Sequence, residues 1–273
     1  MLVTLGAKQL SRLKEMEKHR QGEVSTNIYR QADYDVRFEW GLPGLEALAP
    51  ISDAVVIVDV LSFTTCVAIA VELGASVIPY RWNNHTAEEF ARTSNAQLAV
   101  ARRDTSLEHP YSLSPRSMLG LKAGQRVVLP SPNGSTLSLA AANSGTAVLA
   151  GCLRNAFAVA EAASRLGRQV AVVGAGEHWP DGDKFRPAVE DLIGAGAIID
   201  QLSGSRSPEA EIASAAFLKA RSRLLAFIAE TISGRELADM AFADDVALSS
   251  DLNVSNAVPV MLDEAYVRMT NSE

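Results

Sequence analysis

The chain has 273 residues, a formal net charge of −7 and a pI near 5.2, with 48% hydrophobic and 21% charged residues. This composition is typical of a globular protein with a substantial core. Scattered arginines without a basic cluster argue against nucleic-acid binding, and no apolar run reaches the ~18 residues of a membrane span. Cys66 and Cys152 give neither a disulfide framework nor a zinc-site spacing, so a cytoplasmic location is expected.

Residues 1–34 are predicted to form an N-terminal helical extension, because apolar residues recur at helical spacing between lysines and arginines. This amphipathic segment leaves homo-oligomer formation open as an expectation. Residues 35–273 are predicted to form one α/β domain, since no linker or repeat interrupts them.

From residue 35 onward, short apolar runs alternate with helical patterns. Predicted strands cover Asp35–Trp40, Ala54–Val60, Ser76–Tyr80, Gln97–Ala101, Arg126–Leu129, Thr146–Ala150 and Gln169–Ala175. Predicted helices cover Thr64–Leu73, Thr86–Ser94, Ser135–Asn143, Asn155–Leu166 and Pro187–Leu202. Because such alternation is typical of right-handed crossovers, it predicts an α/β fold with a mainly parallel sheet flanked by helices, in three α/β/α layers.

The C-terminal part has a different pattern. Pro208–Thr231 is predicted to be one long helix, and Ser233–Met240 a shorter one. Ser233 is the expected N-cap of the second helix, because Glu236 follows it at the spacing of a capping box. Val258–Met269 is predicted to close the sheet as an edge strand.

Asp59 follows the apolar run Ala54–Val58 and precedes the hydroxyl side chains of Ser62, Thr64 and Thr65. An aspartate at the carboxyl end of a buried strand is suited to hold Mg²⁺, and hydroxyls at a helix start are suited to hold a phosphate. Alternatively, Asp59 only ends the strand and a hydroxyl only caps the helix. The functional interpretation is favoured because a strand this apolar has little structural need of an acid.

Two further turns follow predicted strands. Asn133-Gly134 permits a tight turn, and Ser135 places a hydroxyl beside the exposed N–H groups of a helix start. This turn is suited either to bind an oxyanion or only to cap the helix. Arg154 is suited either to clamp a phosphate or sulfonate or to form a surface salt bridge.

Gly174 and Gly176 lie at and just after the end of the last predicted strand of the series, but Trp179 stands where a dinucleotide-binding loop has its third glycine. Glu190 and Asp191 then fall near the start of a helix, where acids are also favoured by the helix dipole alone. Adjacent helical residues point ~100° apart, so the two cannot face one ion equally. One acid can bind a metal while the other orients a neighbour.

Four motifs occur in a characteristic order. They are Val58–Thr65 (V-D-V-L-x-x-T-T), Pro132–Thr136 (P-N-G-S-T), Leu153–Ala160 (L-R-N-A-x-A-V-A) and Gly174–Ala197, which ends in E-D-L-I-G-A-G-A. Together they resemble the 2-phosphosulfolactate phosphatase family, from about Asp35 to Met269.

The resemblance implies an α/β fold and Mg²⁺-dependent hydrolysis of the phosphate ester of 3-sulfolactate. It implies a metal site at Asp59, Glu190 and Asp191. The predicted catalytic residues are Asp59, Glu190 and Arg154. The implied phosphate contacts are Thr64, Thr65, Asn133, Gly134, Ser135 and Asn155.

Two segments depart from the family pattern. Ser62-Phe63 stand where the family has Arg-Ala, and Tyr111–Ser117 replaces its G-F-D-x-G-N-S-P stretch, so that Arg116 or Arg154 would have to supply the anion-binding arginine. The expected function is Mg²⁺-dependent hydrolysis of a small anionic phosphorylated substrate, a phosphomonoester such as 2-phosphosulfolactate. The alternative is a non-catalytic protein that binds a phosphorylated or sulfonated small acid.

Overall fold

The computed structural model describes residues 28–81, 85–180 and 184–270, so residues 1–27 of the predicted N-terminal extension lie outside the described residues. The strands are β1 Val36–Trp40, β2 Ala54–Val58, β3 Ser76–Tyr80, β4 Gln97–Leu98, β5 Arg126–Pro130, β6 Ala147–Gly151, β7 Val170–Gly174, β8 Glu177–His178, β9 Phe185–Arg186, β10 Pro259–Leu262 and β11 Ala265–Arg268. The helices are α1 Gly41–Leu48, α2 Phe63–Glu72, α3 His85–Thr93, α4 Pro115–Met118, α5 Gly134–Ala142, α6 Ala156–Leu166, α7 Val189–Ile199, α8 Pro208–Ala220, α9 Leu224–Ala229, α10 Ile232–Asp239 and α11 Ala243–Ser249.

Within the described residues, nine strands form one sheet in the order β1-β7-β2-β6-β10-β11-β3-β5-β4, and β8 and β9 pair separately. The pairs β1–β7, β7–β2, β2–β6, β3–β5 and β5–β4 are parallel. Helices pack on both faces, against two separate clusters of buried apolar residues. The predicted α/β fold with a mainly parallel sheet in three layers is confirmed.

The prediction of a single edge strand at Val258–Met269 is wrong, because this segment forms two shorter strands, β10 and β11, inside the sheet. Asp263 and Glu264 adopt left-handed backbone conformations, with φ of 46° and 64°, and make a two-residue turn between β10 and β11. Such a turn suits the twist of a hairpin. The hairpin lies inside the sheet, where β10 pairs with β6 and β11 with β3 in antiparallel fashion.

The hairpin of β10 and β11 separates two groups of parallel strands that run in opposite directions. Because β6–β10, β10–β11 and β11–β3 are all antiparallel, the group β3, β5 and β4 runs opposite to the group β1, β7, β2 and β6. Helix α2 is buried from Phe63 to Val71 and packs against strands of both groups, β6 and β3. The two groups are therefore joined by a central helix as well as by the hairpin.

The single long helix predicted at Pro208–Thr231 is also wrong. The helix α8 ends at Ala220, a 3₁₀ turn follows at Arg221–Arg223, and α9 runs from Leu224 to Ala229. Thr231, not Ser233, caps α10, because its hydroxyl accepts the Gly234 N–H at 3.1 Å. The apolar pattern was misleading because several of its members are exposed to solvent, namely Ile212, Leu218 and Leu225.

No helix in the described part of the chain is both long and apolar enough to cross a membrane. The cytoplasmic location and homo-oligomer formation stay predictions.

Candidate active site

Asp59 follows the buried strand β2 and is itself only 6% exposed. Its Oδ1 accepts the Phe63 N–H at 3.1 Å, and its Oδ2 accepts the Gly134 N–H at 3.0 Å. Thr64 fixes the main chain, since its hydroxyl donates to the Asp59 carbonyl at 2.8 Å and accepts the Asp59 N–H at 3.0 Å. The carboxylate is therefore held between the starts of α2 and α5.

Asp191, in the first turn of α7, connects two strand ends. Its Oδ1 accepts the Val60 N–H at 2.7 Å, and its Oδ2 accepts the Gly176 N–H at 2.9 Å. Val60 follows β2 and Gly176 follows β7, which are neighbours in the sheet. Asp191 thus fixes the positions of the two loops from which Asp59 and Glu177 project.

Glu190 has a different environment, as the divergence of adjacent helical residues predicts. It is 2% exposed, and its Oε2 is buried without a hydrogen-bond partner in the described part of the chain. A buried carboxylate oxygen without a partner is costly. Such an oxygen is available to a cation or a water, whereas both oxygens of Asp191 already accept backbone N–H groups.

Glu177, which the sequence analysis did not identify, completes the acidic cluster. It follows the glycine pair at the end of β7, and its Oε2 accepts a hydrogen bond from Asn133 Nδ2 at 2.9 Å. The Oδ1 atom of Asn133 is buried without a hydrogen-bond partner in the described residues. The side chains of Asn133 and Glu177 therefore face each other across the loops after β5 and β7.

Burial and mutual repulsion favour protonation of Asp59, Glu177 and Asp191. Burial raises the pKa of Asp59 to about 6, with Glu190 adding to the increase and backbone N–H groups opposing it. Burial and the charge of Asp59 raise the pKa of Glu177 to about 7. The pKa of Asp191 is raised well above its usual range by burial and by its neighbours Asp59 and Glu190. Asp59, Glu177 and Asp191 therefore keep their protons to a higher pH than exposed carboxyl groups do, unless a cation compensates their charge.

A cavity of about 180 Å³ opens beside Asp59 and Glu177. It is lined by Asp59, Leu61, Ser62, Arg102, Leu113, Ser131, Pro132, Asn133, Glu177, Ser233, Glu236, Leu237 and Met240. A larger cavity of about 780 Å³ shares five of these residues, namely Arg102, Leu113, Ser131, Pro132 and Met240. The acidic cavity therefore opens into a wider groove, which is lined mostly by apolar side chains and also by Arg81, Arg102 and Arg103.

The predicted phosphate contacts divide into two groups. Asn133 lines the cavity, and the Gly134 N–H is directed at Asp59. The remaining polar groups bond to the backbone instead: Thr64 to Asp59, Thr65 to Val60, Ser135 to Leu129, and Asn155 to Cys152, Ala150 and Ala257. These four side chains are buried, and none of them is among the described residues that line the cavity of about 180 Å³.

The predicted arginines also lie elsewhere. Arg154 donates from Nη1 to the Leu248 carbonyl and to Asp251, each at 2.8 Å, and so ties the 3₁₀ turn after β6 to the C-terminal segment. Arg116 pairs with Asp244 at an exposed position. Neither is among the described residues that line the acidic cavity. Their direct roles in catalysis or substrate binding stay predictions.

The donor set suits Mg²⁺ chemically. Glu190 offers the unpartnered Oε2, which gains a partner if a cation binds. Asp59 offers oxygens that each accept one backbone N–H and keep a lone pair, and hard cations prefer such carboxylate oxygens. No group of three or more acidic, histidine or cysteine side chains is arranged as a complete metal cage in the described residues. Mg²⁺ is commonly held by one or two carboxylates together with waters and substrate phosphates, and these residues fit that type of site.

Comparison with known proteins places this chain in a family. The model of the 2-phosphosulpholactate phosphatase family matches residues 43–264. A probable 2-phosphosulfolactate phosphatase of Carboxydothermus hydrogenoformans is 31% identical over 210 residues, which cover 76% of this chain and 85% of the relative. The 2-phosphosulfolactate phosphatase of Methanothermobacter thermautotrophicus is 32% identical over 208 residues, covering 76% and 86%. A probable 2-phosphosulfolactate phosphatase of Thermus thermophilus is 30% identical over 229 residues, covering 81% and 92%. The chain belongs to the 2-phosphosulfolactate phosphatase family of phosphoric monoester hydrolases.

Proposed function

We propose that this protein hydrolyses 2-phosphosulfolactate, a small acidic phosphomonoester, to 3-sulfolactate and phosphate with the help of Mg²⁺. The observation that carries the proposal is the pair Asp59 and Glu177 in the lining of a cavity of about 180 Å³. Glu190 does not line this cavity, but it lies close enough to raise the pKa of both acids. The names and coverage of the relatives support the substrate class.

The charge of the site supports a cation requirement. An anionic phosphate ester that enters a cavity beside buried carboxylates meets strong repulsion unless positive charge is present. Asp59 and Glu190 would hold the Mg²⁺, and Asp191 would position the loops around it through its bonds to Val60 and Gly176. When bound, Mg²⁺ would offset the charge on the phosphoryl oxygens and lower the pKa of a water molecule.

Glu177 is suited to act as the general acid. Hydrolysis of the ester leaves an alkoxide, which needs a proton, and burial, the main cause of the raised pKa of Glu177, favours its protonated form. Asn133 orients this carboxyl group through the bond from its Nδ2 to Oε2. As the P–O bond of the ester breaks, proton transfer from Glu177 to the leaving oxygen would give 3-sulfolactate. The oxygen of a water molecule would form the new bond to phosphorus, one of its protons staying on phosphate and the other returning to the Glu177 carboxylate.

The direct test is phosphate release from 2-phosphosulfolactate by the purified chain, with Mg²⁺ and with EDTA. The wild type should release phosphate only with the metal, and Asp59→Asn should lose most of its kcat/KM in a folded protein. Glu161→Gln is the matched control, because it removes a surface carboxylate that pairs with Arg165. Equal activity of Asp59→Asn and the wild type would exclude the metal role of Asp59. Tight binding without any turnover would instead support the non-catalytic alternative.

A further inference from the structure

Arg102 lies where the acidic cavity opens into the wider groove, and it lines both. Among the described residues around the cavity of about 180 Å³, Arg102 carries the only cationic side chain, whereas Asp59, Glu177 and Glu236 are acidic. The positive charge is therefore concentrated at one end of this cavity, beside Ser62.

The guanidinium of Arg102 is held from three sides. Its Nη2 donates to the Ser62 hydroxyl, its Nε lies 3.7 Å from Asp245 Oδ2, and its Cζ lies 5.3 Å from the centre of the Phe242 ring. The side chain of Arg102 is 20% exposed and that of Asp245 is 1% exposed. This burial distinguishes Arg102 from a surface arginine with a mobile side chain.

Asp245 is itself fixed in place. Its Oδ1 accepts the Ser114 hydroxyl at 2.7 Å and the Arg116 N–H at 3.0 Å, so α4 and α11 are joined behind Arg102. The Nε atom of Arg102 is buried without a hydrogen bond in the described residues. A guanidinium has five N–H donors arranged in a planar fork, so the contacts to Ser62 and Asp245 leave donors for a ligand.

We infer that Arg102, positioned by Ser62, Phe242 and Asp245, forms a second anion subsite that binds the sulfonate or the carboxylate of the substrate. This inference rests on the proposed function, in which Asp59 and Glu190 would hold the Mg²⁺ that offsets the charge of the phosphoryl group. A planar, pre-oriented guanidinium is suited to two oxygens of one anionic group. A substrate with anionic groups at both ends is thereby oriented with its phosphate towards the acidic cluster.

The test measures binding of 3-sulfolactate, which carries a sulfonate and a carboxylate but no phosphate, by titration calorimetry without added metal. The Kd for 3-sulfolactate should increase about tenfold or more in Arg102→Gln, because a charge-assisted hydrogen-bonded contact is lost. Arg102→Lys should bind with intermediate affinity, since it keeps the charge but loses the fork. Arg165→Gln, which removes a surface cation outside both cavities, is the matched control and should bind as the wild type does.

Two smaller ligands identify the anionic group. Lactate has only the carboxylate and 2-hydroxypropanesulfonate only the sulfonate, so the one whose affinity depends on Arg102 marks the group that this residue binds. Ser62→Ala keeps the guanidinium but loses its hydrogen-bonded support, and should weaken binding less than Arg102→Gln does. Thermal unfolding checks that each variant is folded.

The outcomes separate this inference from the proposed function. Equal affinity of the wild type, Arg102→Gln and Arg102→Lys for 3-sulfolactate overturns the inference, and so does a wild type that does not bind it. Loss of inorganic phosphate binding in Arg102→Gln, with 3-sulfolactate binding unchanged, also overturns it and assigns Arg102 to the phosphoryl group. Absence of phosphate release by the wild type, with Arg102-dependent binding intact, would contradict the proposed hydrolysis and leave the subsite supported.

Discussion

Asp59 Oδ2 accepts the Gly134 N–H at 3.0 Å, and this hydrogen bond joins the segments after β2 and β5, which belong to strand groups of opposite direction. A Cβ atom at residue 134 would lie 2.7 Å from Asp59 Oδ2 and would overlap the ring of Phe63. Gly134 is therefore needed for the close approach of α5 to the carboxylate.

Gly134→Ala should lower the free energy of unfolding by about 1–3 kcal/mol, because overpacking displaces the ring of Phe63 or the helix start. Phosphatase activity should fall as well, since Asp59 loses its fixed position. Gly120→Ala is the matched control, because a Cβ there meets nothing closer than 3.7 Å. Urea unfolding of both variants measures the difference, and equal stability would show that the contact tolerates a methyl group.

Glu177→Gln should lower kcat for 2-phosphosulfolactate by about 10²–10⁴, the usual contribution of a general acid. The loss should be much smaller for p-nitrophenyl phosphate, whose phenolate leaves without needing a proton. Glu236→Gln makes the same change of side chain in the same cavity and is the control. An equal loss on both substrates in Glu177→Gln would assign Glu177 to binding or positioning and not to proton transfer.

Much of the acidic cluster could be predicted from the sequence. Asp59 follows a fully apolar strand, and Glu190 and Asp191 lie in the first turn of a helix. At the end of a strand or the start of a helix, the backbone alone restricts which neighbouring groups a side chain can contact. The hydroxyl side chains could not be assigned in this way. Thr64 and Ser135 lie beside free backbone groups at helix starts, and their hydroxyls bond to backbone carbonyls instead of facing the cavity.

Glu177 and Arg102 were missed for a different reason. Each belongs to a short segment without helical or strand periodicity, and each reaches the site through contacts with residues distant in sequence, Asn133 and Ser62. The reversal of strand direction also depends on a turn at Asp263-Glu264, which lacks the usual glycine or asparagine signal of a hairpin. A glutamate directly after the glycine pair of β7 was the one available indication of Glu177.

Glu190→Gln should stabilise the metal-free protein while abolishing its response to Mg²⁺. The substitution removes a buried carboxylate whose Oε2 has no hydrogen-bond partner in the described residues. It also removes the repulsion between this carboxylate and those of Asp59 and Asp191. Without metal, the melting temperature should rise by about 2–4 °C for each kcal/mol gained in a chain of this size. Thermal unfolding in EDTA and in excess Mg²⁺ tests both parts, and a variant that gains as much stability from Mg²⁺ as the wild type does would exclude Glu190 as a ligand.

The stability of the metal-free protein should fall as the pH rises from about 5 to 8. The pKa of Asp59 is raised from 3.8 to about 6 and that of Glu177 from 4.5 to about 7, in both cases chiefly by burial. The folded state therefore binds more protons than the unfolded state in this range, and the free energy of unfolding decreases with increasing pH. Urea unfolding in EDTA at several pH values measures this slope.

Two comparisons test whether the buried acids cause this decrease of the free energy of unfolding with pH. Glu177→Gln should flatten the slope towards its alkaline end, near the raised pKa of Glu177, whereas Glu161→Gln, which removes a surface carboxylate, should leave it unchanged. Mg²⁺ should stabilise the wild type more at pH 8 than at pH 5.5, because the cation replaces the protons that the cluster holds at lower pH. A stability that rises from pH 5 to 8 in EDTA would contradict the raised pKa values of both acids.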